Sequence, residues 1–159
     1  PDKCVRAVAQ RFTGVEHRIE LVRELDGVRY YNDSIGTSPT RTMACLDSFD
    51  QKLILIAGGY DKGVPFTQLG VEIVRQVKAL ILTGDTAPAI KKAVEEAEGY
   101  MASGLKLIEA DDLATAVSAA REIARERDVV VLSPACAAFD RFKNFMERGK
   151  VFKQLVNDL

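Results

Sequence analysis

The sequence predicts an α/β fold: a Rossmann-like, doubly wound, mostly parallel sheet with an N-terminal antiparallel β-hairpin and helices on both faces. Three observations predict it. Lys52–Ala57, Lys78–Leu82 and Asp128–Leu132 are short, continuous apolar runs, the pattern of strands buried on both faces. Helical patterns alternate with these runs along the chain, as in parallel sheets built from βαβ units. Upstream, Arg18–Leu25 and Val28–Asn32 flank Asp26-Gly27, a strong hairpin signal.

The elements follow in order. Pro1 to Phe12 reads as a short helix with Val5, Val8, Ala9 and Phe12 on one face, ended by Thr13-Gly14. After the hairpin, Ser38 is the expected N-cap of a helix reaching about Phe49, with Pro39 at its first position. Thr86 and Pro88 repeat that start for a helix to about Glu98, stopped by Gly99. A weaker strand spans Leu105–Glu109. Asp111 or Asp112 then caps the clearest amphipathic helix, whose stripe is Leu113, Ala116, Val117, Ala120, Ile123 and Ala124. Phe139 to Leu159 reads as one or two helices broken at Gly149.

The 159 residues suit one domain with a full core. A formal net charge of −1 gives no electrostatic reason to expect nucleic acid or an anionic membrane as partner. No apolar run nears the roughly 20 residues of a membrane span. Cys4, Cys45 and Cys136 form no CxxC pair, which fits reduced thiols and a cytoplasmic setting. The chain begins at Pro1, so it is expected to be a piece of a longer polypeptide. No metal-ligand spacing of His, Cys and Asp occurs.

In such sheets, ligands bind beyond the carboxyl ends of the strands. Three loops there stand out. Asn32–Thr40 sets an acid, a glycine and hydroxyls before a helix start. Gly58–Gly63 projects Lys62 from a glycine-rich turn. Leu132–Phe145 breaks at Ser133-Pro134, passes through small residues and is expected to restart as a helix, whose first amides suit an anion. Read alone, Asp33, Thr37 and Ser38 serve equally as turn and capping residues. Lys62 reads as a solvated charge, Cys136 as a small buried hydrophobe, and Phe139, Phe142 and Phe145 as core. His17 has no neighbouring Cys or Ser that would make a catalytic pair.

Taken together, Phe12-Thr13-Gly14-Val15-Glu16-His17-Arg18, Tyr31-Asn32-Asp33-Ser34, Gly58-Gly59 with Lys62, and Ser133-Pro134-Ala135-Cys136-Ala137-Ala138-Phe139-Asp140 through Phe142-Lys143-Asn144-Phe145 to Arg148-Gly149 resemble the Mur ligase family. The likeness is to its D-glutamate-adding branch and covers nearly the whole chain. It implies an ATP-dependent, ADP-forming ligase of cytoplasmic peptidoglycan-precursor synthesis. ATP phosphorylates the carboxylate of UDP-N-acetylmuramoyl-L-alanine, and the amine of D-glutamate attacks the acyl phosphate. Such enzymes have three domains, and residues 1–159 resemble only the C-terminal, amino-acid-binding one. The chain has no GxxxxGK[ST] loop, so ATP and Mg would be held mainly by the central domain and the fragment would be inactive alone.

Carried over by position, the resemblance puts His17 near the D-glutamate and the reaction centre, with Lys62 as the second catalytic group. Arg18 would touch ATP phosphates and Asp33 the adenosine ribose. Thr37, Lys62, the amides around Ala138 and Phe139, and nearby Phe145 would bind the D-glutamate carboxylates. Family members often carry serine at the Ala138 position and lysine at the Ile35 position. Two readings compete: the same domain of another Mur or folylpolyglutamate-type ligase, and a non-catalytic Rossmann-like nucleotide-binding module.

Overall fold

A computed structural model describes residues 14–159 of the chain. The helix expected over Pro1 to Phe12 and the residue Cys4 lie outside them. Six strands form one sheet in the order β1-β2-β6-β3-β4-β5. They are β1 (Glu20–Leu25), β2 (Val28–Asn32), β3 (Leu53–Ala57), β4 (Val77–Leu82), β5 (Lys106–Glu109) and β6 (Val129–Leu132). Only β1 and β2 pair antiparallel; every other pairing is parallel. The β1–β2 turn has positive φ at both Asp26 (51°) and Gly27 (75°), as a two-residue primed turn requires.

The continuous apolar runs are the three central strands, and their side chains alternate between two cores. Leu53, Leu55 and Ala57 face a cluster with Leu46, Leu69, Ile73, Ile90 and Val94. Ile54 and Ile56 face the other, with Leu113, Ala116, Val117, Ala120, Phe152 and Val156. The first cluster is covered by α1 (Pro39–Leu46), α2 (Thr67–Gln76) and α3 (Ala87–Glu95), and the second by α5 (Leu113–Ile123) and α6 (Phe145–Asn157). A one-turn helix, α4 (Tyr100–Ser103), follows α3.

Several expectations are corrected. Helix α2, between β3 and β4, has no counterpart in the sequence reading; Pro65 and Gly70 interrupt its pattern, and Leu69, Gly70, Ile73 and Val74 are its buried stripe. Gly149 does not break the last helix, because α6 runs through it from Phe145 to Asn157. No helix starts at Phe139: residues 139–144 are turns, with Ala138 O accepting from Arg141 N (3.1 Å) and Phe142 N (2.9 Å). Phe139 is therefore exposed, not core. Ser38 makes no side-chain cap, whereas Asp112 Oδ1 accepts from Thr115 N at 2.7 Å.

This topology makes the site. The chain leaves β2 and β3 toward helices on one face, but leaves β6, which lies between them, toward α6 on the other. Crevices open where neighbouring strand exits diverge, and ligands enter there.

Gly70 sits where α2 meets α3. A Cβ on it would lie 2.3 Å from Ala93 O and 2.6 Å from Ala93 C, backbone atoms that cannot rotate away. Gly→Ala inside a helix normally gains up to about 1 kcal/mol, while overpacking costs about 1–3 kcal/mol. Gly70→Ala is expected to lower the unfolding free energy in urea melts; a gain in stability would contradict the close α2–α3 approach.

Candidate functional site

Loops leaving β2, β6 and β3 meet at the carboxyl edge, and one buried cation joins the first two. Arg148, 4% exposed, enters from α6. Its Nε donates to Ser34 Oγ (3.0 Å), and its Nη2 to Ser34 O (2.9 Å) and Cys136 O (3.0 Å). Its Nη1 donates to Ala137 O (3.1 Å). A guanidinium suits this because its fork of donors has fixed directions. Among the described residues no carboxylate pairs with it in a salt bridge, and burial lowers its pKa to about 10. The cation survives because hydrogen bonds replace its hydration.

The third loop joins by backbone. Gly58 N donates to Pro134 O (2.9 Å) and Tyr60 N to Ala137 O (2.9 Å). Glycines permit this closeness: a Cβ on Gly58 would lie 1.9 Å from Thr83 O, and one on Gly59 2.5 Å from Ala137 O. The Gly58-Gly59 pair is a packing requirement. Thr86, expected as a helix cap, instead accepts from Gly59 N (3.0 Å) through its hydroxyl, which also lies 3.2 Å from Cys136 Sγ.

The expected site residues fall into two groups. Asp33, Arg18, Ile35, Gly36 and Arg41 line a pocket of about 230 Å³ beside α1. Asp33 is buried, accepting from Ile19 N at Oδ1 (3.2 Å) and from Ser133 Oγ at Oδ2 (2.7 Å). Burial pushes its pKa up, against the lowering by those hydrogen bonds and by Arg18. Asp33 is thus more than a turn residue, since it fastens the β2 exit to the β6 exit.

In the second group, exposed Lys62 reaches back to Thr37, its Nζ donating to Thr37 O at 2.9 Å. Phe139 meets Tyr60 edge to face, ring centres 6.0 Å apart, and both are exposed. Ala138 is buried beneath them. The amides of Ala138 and Phe139 belong to a turn and not to a helix start, so no helix dipole acts there. His17 is 3% exposed, with φ of 66°, and meets Phe145 edge to face at 6.0 Å. Ser34 Oγ donates to Phe145 O at 2.7 Å. A Cβ on Gly149 would lie 2.2 Å from His17 Nδ1, which explains a glycine inside α6.

The sequence marks no site role for Arg148, Asn32, Ser34 or Ser133, and only a helix cap for Thr86. Asn32, Ser34, Ser133 and Arg148 all lie within the segments that carry the family likeness, and Asn32 and Arg148 are also polar residues on buried faces of their elements. Cys136 is buried, with its thiol pushed up to about 11 by desolvation, which makes it a poor nucleophile.

Comparison with known proteins agrees with this fold. The family model described as "Mur ligase, glutamate ligase domain" matches residues 17–136. A protein of Acetivibrio thermocellus named UDP-N-acetylmuramoylalanine–D-glutamate ligase is 54% identical over 98% of this chain. One of the same name from Clostridium kluyveri is 51% identical over 99%. The chain spans about a third of these relatives, 34% of each. Among solved structures, a folylpolyglutamate/dihydrofolate synthase of Yersinia pestis shares the fold at TM-score 0.66 and 14% identity, covering 98% of this chain and 34% of that one. A murein peptide ligase of Psychrobacter arcticus does so at 0.61 and 15%, covering 96% and 32%.

Arg148→Met keeps much of the side-chain volume but leaves Ser34 O and Cys136 O without this donor. Orphaned buried acceptors cost about 1–3 kcal/mol each, so a loss of about 2–5 kcal/mol is expected in chemical denaturation. A loss below about 1 kcal/mol would show that the loops hold together without it.

Proposed function

The chain belongs to the Mur ligase family, and from that premise we propose that it is the C-terminal, D-glutamate-binding domain of a three-domain ligase adding D-glutamate to UDP-N-acetylmuramoyl-L-alanine. The reaction would be ATP-dependent and ADP-forming, in peptidoglycan-precursor synthesis. The observation that carries the reading is the meeting of Lys62 with the Thr37 loop, beside the Ala138-Phe139 turn, at the exits of adjacent parallel strands. The names borne by relatives above 50% identity favour D-glutamate over the amino acids of other branches.

The chemistry follows from the residues. D-Glutamate carries two carboxylates and one amine. Lys62 supplies a mobile ammonium at the loop tip, and Thr37 a hydroxyl within the same reach. Without an acid, Lys62 rests on the Thr37 carbonyl; a carboxylate would replace that neutral acceptor with a charged one. Ala138 brings no hydroxyl, so recognition on that side rests on backbone N–H groups. Phe139 and Tyr60 form an apolar wall, and Phe145 lies beside His17. Together these groups would hold the amine towards the activated carboxyl, with catalysis resting on positioning.

On the other side of the Asp33 loop, the 230 Å³ pocket fits part of a nucleotide. Arg18, exposed at its mouth, can bind phosphate bidentately, and Asp33 retains lone pairs for ribose hydroxyls. Among the described residues, no group of three His, Cys, Asp or Glu could hold a metal ion. As the family likeness implies, magnesium would be held with the nucleotide phosphates mainly by the central domain of the parent. No helix among the described residues is long and apolar enough to cross a membrane.

In the full-length ligase, Lys62→Ala is expected to raise KM for D-glutamate by more than about tenfold, which is 1.4 kcal/mol, with KM for ATP little changed. Steady-state kinetics read both, and an unchanged D-glutamate KM would remove Lys62 from the site.

A further inference from the structure

Asn32, the last residue of β2, is fully buried. Its amide orientation is fixed from both ends. Oδ1 accepts from Ser34 N at 3.1 Å. Nδ2 faces two acceptors, Glu20 Oε2 at 3.1 Å and His17 Nδ1 at 2.9 Å. Turning the amide over would leave Ser34 N against an NH₂ group and set Oδ1 against the Glu20 carboxylate. Asn32 is therefore the donor to His17, and Nδ1 is the acceptor. A neutral imidazole accepting at one nitrogen carries its proton on the other.

We propose that Asn32 is a positioning residue that locks His17 as the neutral Nε2–H tautomer, so that the ring serves the reaction as a hydrogen-bond donor to an anionic oxygen and not as the base that deprotonates the incoming amine. The role at the reaction centre rests on the function proposed above; the tautomer does not. The only lone pair of the ring lies at Nδ1, turned into the protein against Asn32 and Gly149. The outward nitrogen, Nε2, lies 3.5 Å from Glu16 Oε1. It has a proton to offer and no pair with which to take one.

Every element packed against the ring takes part. Glu16 from its own turn and Glu20 from β1 favour the charged form. Lys150 and Lys153 from α6 oppose it, and burial, the largest influence, lowers the pKa. Lys153 Nζ also binds Glu16 Oε1 (2.8 Å) and Glu20 Oε1 (3.1 Å), spending much of their charge. The Glu20 carboxylate completes the lock, with His17 N donating to Glu20 Oε2 at 3.0 Å. The positive φ of His17 is held by these bonds, as strained backbone at functional sites commonly is. Because the folded pKa is depressed, the neutral ring contributes stability above the unfolded value near 6.5, and that contribution is lost as pH falls through the folded value.

His17 is the only histidine, so a long-range ¹H–¹⁵N spectrum of the 159-residue chain shows a single ring. At pH 7 we expect a protonated Nε2 and a bare Nδ1, persisting below pH 6.5. Asn32→Asp is nearly isosteric and places an acceptor opposite Nδ1. It should move the proton to Nδ1 or charge the ring, raising the titration midpoint by more than about one pH unit. An Nδ1–H or fully charged ring in the parent chain at pH 7, or an Asn32→Asp spectrum unchanged in tautomer and midpoint, overturns the proposal. If Asn32→Asp does not fold, the parent spectrum alone decides the tautomer. In the full-length ligase, His17→Gln keeps an N–H donor and should retain at least tenfold more kcat than His17→Ala; equal losses would restore the base role. A D-glutamate reading that failed would leave the spectrum untouched, which separates the two claims.

Discussion

The site depends on a buried guanidinium. Arg148 reaches from α6 under the edge of the sheet and takes the carbonyls of Ser34, Cys136 and Ala137. Those carbonyls belong to loops that leave β2 and β6, strands adjacent in space but about a hundred residues apart in sequence. The same crossing is repeated by Asp33 with Ser133 and by Thr42 with Ser133, 2.7 and 2.9 Å respectively. A loop edge with so many exposed backbone groups cannot be packed by apolar side chains alone, because each buried carbonyl needs a donor. One arginine supplies three such contacts, and a fourth to the Ser34 hydroxyl, with little added volume.

That base separates the rigid from the adaptable. Asp33, Ser34, Asn32, His17 and Arg148 are buried and internally paired. Arg18, Lys62, Tyr60 and Phe139 are exposed above them. Groups that must exchange one partner for another are held weakly, as Lys62 is on a single neutral carbonyl. Groups that set geometry are held by several bonds each. The division accords with a site finished by closure of a larger protein around a preformed floor.

Strand positions were readable because burial on both faces leaves an unmistakable run, as in Leu53–Ala57 and Val129–Leu132. The hairpin was readable because Asp26-Gly27 meets a local conformational demand. Helix α2 was not, because Gly70 is there to admit Ala93 and not to end a helix. Gly149 misled in the same way: His17, 132 residues earlier, requires its missing Cβ. The Phe139–Phe145 spacing imitates a helix, yet it spans turns held by Ala138 O. At the site, the chemistry-bearing types at Asp33, Lys62 and His17 stood out by themselves or by family likeness. Their supports, Asn32, Ser133 and Arg148, act through contacts made only when distant strands lie side by side, and no local pattern encodes that.

The central claim is that these three loops form one carboxylate-binding edge for D-glutamate. Amide chemical-shift mapping of the chain with millimolar D-glutamate tests it most directly, since weak binding is still visible by that means. The account predicts saturable shifts clustered at Thr37, Lys62, Ala138, Phe139 and Phe145, weaker with L-glutamate. Shifts confined to other surfaces, equal shifts with L-glutamate, or none at all would contradict it.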